Sequence, residues 1–124
     1  MSSRHLLVID DEPDIARYIG TVAEGLGYEV TVTTEADEFI NAYNEKNPDV
    51  IVVDVVMPNI DGIELVKYLA QAGCDARVLV ISGYTERYLY NTKTLGEAFG
   101  LTSITAMRKP IELNQLEEFL SAEA

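Results

Sequence analysis

Residues 50–65 read VIVVDVVMPNIDGIEL, and this stretch decides the fold. Its first four residues are all apolar and β-branched, so a strand built from them offers no face to water. It has to be covered on both sides, as the strands of a parallel sheet are. The run stops at a carboxylate, Asp54. Beyond Met57-Pro58, Asp61 and Glu64 stand in the spacing of a capping box, ahead of Leu65, Val66 and Leu69 as an inward face and Gly73 as a stop. The stretch therefore predicts a buried strand with a polar end, then a helix.

The same unit recurs on either side. LLVI at residues 6–9 ends in Asp10-Asp11, VLVI at 78–81 ends in Ser82, and a weaker ITAM at 104–107 leads to Lys109-Pro110. YEVTVT at 28–33 alternates instead, which reads as an edge strand with one face partly wet. Ile15, Ile19, Val22 and Leu26 recur at helical spacing, with Pro13 in the first turn and Gly25 and Gly27 at the end. A second helix is expected from Thr34 as N-cap, carrying Phe39, Ile40 and Tyr43 and ending before Asn47-Pro48. A fourth opens near Thr85 and places Leu95, Ala98 and Phe99 on one face, with Gly96 weakening it. The last follows Pro110 and buries Leu113, Leu116 and Leu120. Five alternations of strand and helix predict an α/β fold with right-handed crossovers, unbroken by repeats or linkers.

At 124 residues, with 48% hydrophobic and 24% charged, the chain has the material of one soluble domain, expected to span residues 1–124. Twenty-one acidic residues against nine basic ones give a net charge of -12. That field repels phosphate backbones and anionic lipid, so direct nucleic-acid or membrane binding is not expected. The same field attracts cations wherever carboxylates converge. Cys74 is the single cysteine and has no disulfide or metal-site neighbours. The first apolar run is too short for a signal-peptide core, and the expected location is the cytoplasm.

Sheets of this kind bind ligands beyond the carboxyl ends of their strands. Here those ends carry Asp10, Asp11, Asp54, Ser82 and Lys109. Singly, each has a bland explanation: Asp10, Asp11 and Glu12 cap the helix at Pro13, Asp54 starts a turn, Ser82 caps the next helix, and Lys109 is a solvated charge. Together they are harder to explain by stability alone. Carboxylates brought within ~4 Å repel by about 4 kcal/mol per pair at an effective dielectric near 20. A bound Mg²⁺ and a lysine reverse that sign, and a metal, a lysine and a hydroxyl around one carboxylate are what phosphoryl transfer to it requires.

In its ordered segments VIDDEPD, IVVDVVMPNIDGIEL, LVISGYTE and RKPI, the sequence resembles response-regulator receiver domains over nearly its whole length. The resemblance implies a flavodoxin-like, doubly wound, five-stranded parallel sheet of order 2-1-3-4-5 with five helices. It implies Mg²⁺ held by Asp11 directly, Asp10 through water, Asp54, and the backbone carbonyl of Val56. Asp54 becomes the phosphoacceptor, Ser82 the hydroxyl that bonds a phosphoryl oxygen, and Lys109 the matching lysine, with a cis bond to Pro110. Gly83 leaves room for the phosphoryl group, and Met57-Pro58 and Asp61-Gly62 shape the loop. The implied partners are a histidine kinase or phosphotransfer protein and a downstream protein whose binding switches on phosphorylation.

Two departures from the family pattern, and Val56 at a position where receivers vary, carry expectations of their own. Ala106 stands where receivers carry an aromatic switch, and Tyr84 is the nearest ring that could take over its coupling. The segment between Ser82 and Lys109 is about one helical turn, ~3.6 residues, longer than usual. Tyr84, Tyr88 and Tyr90 crowd its start, either as core rings or as a partner surface. Val56 cannot align a hydrolytic water, which implies a long-lived phosphoaspartate.

Rival readings are a receiver cut from a longer hybrid kinase or regulator, a receiver lacking an output domain, a degenerate receiver that only binds a partner, and a phosphohydrolase forming an aspartyl phosphate. The last resembles haloacid dehalogenases, which need an acid two residues after the nucleophile, where Val56 stands. A nucleotide or flavin binder lacks its glycine-rich loop after the first strand.

Overall fold

The computed structural model describes residues 4–57, 60–83 and 86–122. Strands form at β1 (His5–Ile9), β2 (Glu29–Thr33), β3 (Val50–Asp54), β4 (Val56–Met57), β5 (Ile60–Asp61), β6 (Arg77–Ser82) and β7 (Ile104–Arg108). Helices form at α1 (Pro13–Gly25), α2 (Ala36–Lys46), α3 (Gly62–Gln71), α4 (Glu86–Phe99) and α5 (Leu113–Ser121). Five strands pair in parallel in the order β2-β1-β3-β6-β7. The small antiparallel pair β4-β5 sits apart, between β3 and α3. Without that pair the order is the expected 2-1-3-4-5.

Apolar residues at every position of the central strands are explained by two cores. Leu7, Ile9, Ile51, Val53, Val78 and Val80 pack on one face with Phe39 of α2 and Leu65, Val66 and Leu69 of α3. Leu6, Val8, Val50, Val52, Leu79 and Ile81 pack on the other with Ile19 and Ala23 of α1 and Leu116, Phe119 and Leu120 of α5. A fully buried aliphatic side chain stabilises by about 1.5–3 kcal/mol, so the strands are the chief hydrophobic investment of the fold. The edge strand β2 is partly wet, as its alternation predicted.

Register sets the functional rim. Ile9 aligns with Val53, Asp54 with Ile81, and Ser82 with Arg108, so four strands end level with one another. Backbone bonds continue past the strand ends: Lys109 N donates to Ser82 O at 2.8 Å, Val55 N to Ile81 O at 3.0 Å, and Asp10 N to Thr33 O at 3.2 Å. The residues that follow the apolar runs are thereby tied to the sheet.

Helix faces differ from expectation in four places. Leu26 lies beyond the end of α1 and is exposed, because the helical period stops at Gly25. Glu35, not Thr34, precedes α2, and the Thr34 hydroxyl instead contacts Glu38. On α4, Leu95, Ala98 and Phe99 are exposed, and among the described side chains the inward positions are Thr92 and Gly96. A Cβ at Gly96 would lie 2.6 Å from Ile104 Cδ1. The glycine that weakens α4 by propensity is therefore what lets it approach β7. In α5, Leu113 is 51% exposed and Phe119 takes the inward place. Asp61 caps α3, accepting a hydrogen bond from Ile63 N at 2.9 Å, and Thr85, the expected opening of α4, lies outside the described residues. Among the described residues no helix is long and apolar enough to cross a membrane.

Leu116→Ala is expected to lower unfolding stability by about 2–5 kcal/mol, and Leu113→Ala by less than about 0.5 kcal/mol. Urea denaturation of both variants checks this, and equal losses would restore Leu113 to the core.

Candidate functional site

The rim beyond β1, β3, β6 and β7 gathers residues from the two ends of the chain. α3 starts close against the turn after Asp54, and this packing holds the acceptor turn from below. A Cβ at Gly62 would fall 2.3 Å from Val55 Cα and 2.8 Å from Asp54 O, so only glycine fits there.

Lys109 is the centre of the rim. Its ammonium donates to Glu12 Oε1 at 2.9 Å and to Asp54 Oδ2 at 3.0 Å, and lies 3.2 Å from Asp10 Oδ2. Asp10 is 0% and Asp54 1% exposed, so two carboxylates have left water for this contact. The bland readings fail on these distances. Lys109 is no solvated charge, and Glu12, although it occupies the N-cap of α1, makes no side-chain cap bond. Asp10 does make a local bond, Oδ1 accepting from Glu12 N at 2.8 Å.

Burial pushes the Asp10 carboxyl up to about 6, with the neighbouring Asp54 charge adding to the rise. The Glu12 N–H bond and the Lys109 charge oppose it without cancelling it. For Lys109, burial disfavours the charge, but the bonds to Glu12 and Asp54 and the charges of Asp10 and Asp54 outweigh it. The ammonium is held above its ordinary range and stays charged. One cation thus faces more negative charge than it neutralises.

Asp10, Asp11, Glu12 and Asp54 each bring an oxygen to within 4.8 Å of the others. Asp10 Oδ2 is buried and accepts no hydrogen bond from the described residues, its one close contact being the ion pair with Lys109 at 3.2 Å. An all-oxygen donor set with an unsatisfied buried carboxylate oxygen fits a hard dication such as Mg²⁺, which prefers carboxylates, carbonyls and water.

The other expected residues fall as follows. Ser82 ends β6 at the same rim and is fully buried, one position past the residue aligned with Asp54. Asp11 is exposed at the mouth. The Val56 backbone begins β4, opposite Asp61; its side chain lies outside the described residues. A Cβ at Gly83 would meet no protein atom within 4 Å, which agrees with open space beside Ser82. The Lys109-Pro110 bond is cis, as expected. Tyr84 and the Tyr88 side chain lie outside the described residues, as does Pro58. Tyr90 is 67% exposed and therefore not a core ring. His5 contacts Thr31 and Glu29, and Cys74 is buried and free. Glu12 is the residue that sequence reasoning missed. It had been read only as a possible cap, although its place beside Asp10-Asp11 was the available signal.

The family model for the response regulator receiver domain matches residues 6–121. Among curated proteins, the chain is 31% identical over 113 residues to the alkaline phosphatase synthesis transcriptional regulatory protein PhoP of Bacillus subtilis. The match covers 90% of the chain and 46% of that relative, so the chain spans about half its length. Among solved structures, the receiver domain of Francisella response regulator 1452 superposes with a TM-score of 0.77 at 31% identity, covering 94% of this chain and 93% of that one. A response regulator from Colwellia psychrerythraea gives 0.83 at 29% identity, covering 97% and 95%.

Keeping Asp10 ionised at neutral pH, against an ordinary value of 3.8, costs the fold about 3 kcal/mol. Because its folded value is the higher one, the stability contributed by its proton is present at acid pH and lost as the pH rises through about 6. Asp10→Asn at neutral pH with a chelator present is therefore expected to be more stable, by up to about 3 kcal/mol in urea denaturation. A less stable variant would contradict the strain inferred at the rim.

Proposed function

The chain belongs to the response regulator receiver family, and we propose that Asp54 is its phosphoacceptor, with Asp10, Asp11 and the Val56 carbonyl holding Mg²⁺ and with Ser82 and Lys109 receiving the phosphoryl oxygens. Receiver domains of two-component systems take a phosphoryl group on an aspartate; they are signalling domains, not enzymes in the ordinary sense. The observation that carries the reading is the 3.0 Å contact between Lys109 and a buried Asp54 inside a cluster of acids.

In the forward step a carboxylate oxygen of Asp54 bonds to phosphorus while the bond from phosphorus to the donor breaks. With phosphohistidine the electron pair leaves on the imidazole nitrogen, which takes a proton from solvent. With acetyl phosphate it leaves on acetate. Bound Mg²⁺ supplies positive charge for the phosphoryl oxygens. Lys109 supplies the rest from the protein, and its fixed position on the Ser82 carbonyl means that little reorganisation is needed. The Ser82 hydroxyl donates to a phosphoryl oxygen and draws its loop with it. Dephosphorylation is attack of water on phosphorus, which returns the Asp54 carboxylate and releases phosphate. Val56 offers that water no hydrogen bond, so the acyl phosphate is long-lived.

Phosphorylation shifts an existing balance between arrangements of the rim loops and α4, and a downstream partner reads it. The donor is a histidine kinase or phosphotransfer protein, and the setting is the cytoplasm. The reading surface is a groove of about 1040 Å³ between α4 and α5, floored by Ala106 and bordered by Tyr90, Lys93, Arg108, Glu112 and Gln115. Lys109 also lines it, so the groove and the phosphorylation rim share a residue.

Incubation with acetyl phosphate and Mg²⁺ is expected to add one phosphoryl group to the wild type by intact mass and none to Asp54→Asn. Addition to the Asn variant would reject Asp54 as the acceptor. After removal of the donor, Val56→Asn is expected to lose the group faster than the wild type, and equal rates would reject the role given to Val56.

A further inference from the structure

We propose that Glu12 is a positioning residue that clasps Lys109 in the unphosphorylated protein and competes with a phosphoryl group on Asp54 for its ammonium. The inference rests on the reading of Asp54 as phosphoacceptor and adds a residue to it.

Lys109 Nζ makes its shortest contact, 2.9 Å, with Glu12 Oε1, shorter than those to Asp54 Oδ2 at 3.0 Å or Asp10 Oδ2 at 3.2 Å. An ammonium has three donors; here it bonds Glu12 and Asp54, and Asp10 Oδ2 lies against it as an ion pair at 3.2 Å. A phosphoryl group on Asp54 carries new anionic oxygens that need the same donors. Asp10 and Asp54 are fixed in the buried end of the site, at 0% and 1% side-chain exposure. Glu12 is 58% exposed and reaches in from the loop before α1. Of the three it is the carboxylate that can return to water at little desolvation cost.

Glu12 therefore acts as an internal competitor. Before transfer it holds the ammonium at the mouth beside Asp54. During transfer its carboxylate and the incoming phosphoryl oxygens contend for one cation, and release of Glu12 is part of the cost of binding. An exposed ion pair is worth little, so the competition raises the donor concentration needed for half-saturation by a small factor without blocking the reaction, while Lys109 is kept in place.

The test uses trifluoroberyllate, a tetrahedral phosphoryl mimic, titrated into the whole chain at saturating Mg²⁺ and followed by fluorine NMR. Glu12→Gln is expected to lower the half-saturating concentration by about two- to fivefold, the range an exposed pair is worth. Glu12→Asp keeps the charge but is one methylene too short to hold Lys109, and is expected to shift the same way. In acetyl phosphate kinetics the half-maximal concentration falls in both variants and the rate at saturation does not. An unchanged or weaker affinity in Glu12→Gln would overturn the clasp, as would a Glu12→Asp variant indistinguishable from wild type, which would assign the effect to the field of the cluster. A wild type that binds no mimic, or an Asp54→Asn variant that binds it equally well, would instead overturn the acceptor reading and the clasp with it.

Discussion

One ammonium among buried carboxylates is the interaction on which the rim depends. Lys109 reaches Asp10, Glu12 and Asp54 within 3.2 Å, and two of those carboxylates are almost wholly out of water. A buried ion pair is weak evidence for stability, since desolvation can exceed attraction. Here the imbalance is visible in a single residue: the Asp10 carboxyl is pushed up to about 6 by burial, even with Lys109 beside it. The fold tolerates this because the strands beneath bury apolar side chains on both faces. Stability is concentrated in the sheet, and the strain sits at its carboxyl end.

That division explains what was legible in the sequence. Parallel strands announce themselves as unbroken apolar runs, and the polar residues that end them had to emerge at one rim once the order of strands was fixed. Asp10, Asp54, Ser82 and Lys109 could be placed there with no coordinates, and the register confirms that their strands end level. Helix faces were harder. Periodicity counts large apolar residues, so it put Leu95 and Phe99 inward on α4, whereas the contact with β7 runs through Gly96, whose lack of a side chain gives no hydrophobic signal. Leu113 failed for a related reason, since a first-turn residue precedes the face that the rest of α5 establishes.

Glu12 shows a different limit. Its contact with Lys109 spans 97 positions, and nothing local distinguishes an acid that caps a helix from one that reaches across the rim. The helix geometry separates the two: Glu12 sits at the N-cap yet gives no side chain to the cap. In the neighbouring groove a small residue, Ala106 in the middle of β7, lines the space between α4 and α5. Lys109 borders both the acidic rim and this groove.

If excess negative charge at the rim is there to hold a dication, Mg²⁺ binding must stabilise the folded chain. The direct measurement is the unfolding free energy from urea denaturation, and with it the midpoint, as a function of Mg²⁺ at neutral pH. A rise of about 2.7 kcal/mol is expected once the ion reaches a hundred times its dissociation constant, and this rise should vanish in Asp11→Asn. A midpoint indifferent to Mg²⁺, or a rise that survives in that variant, would contradict a metal-holding rim.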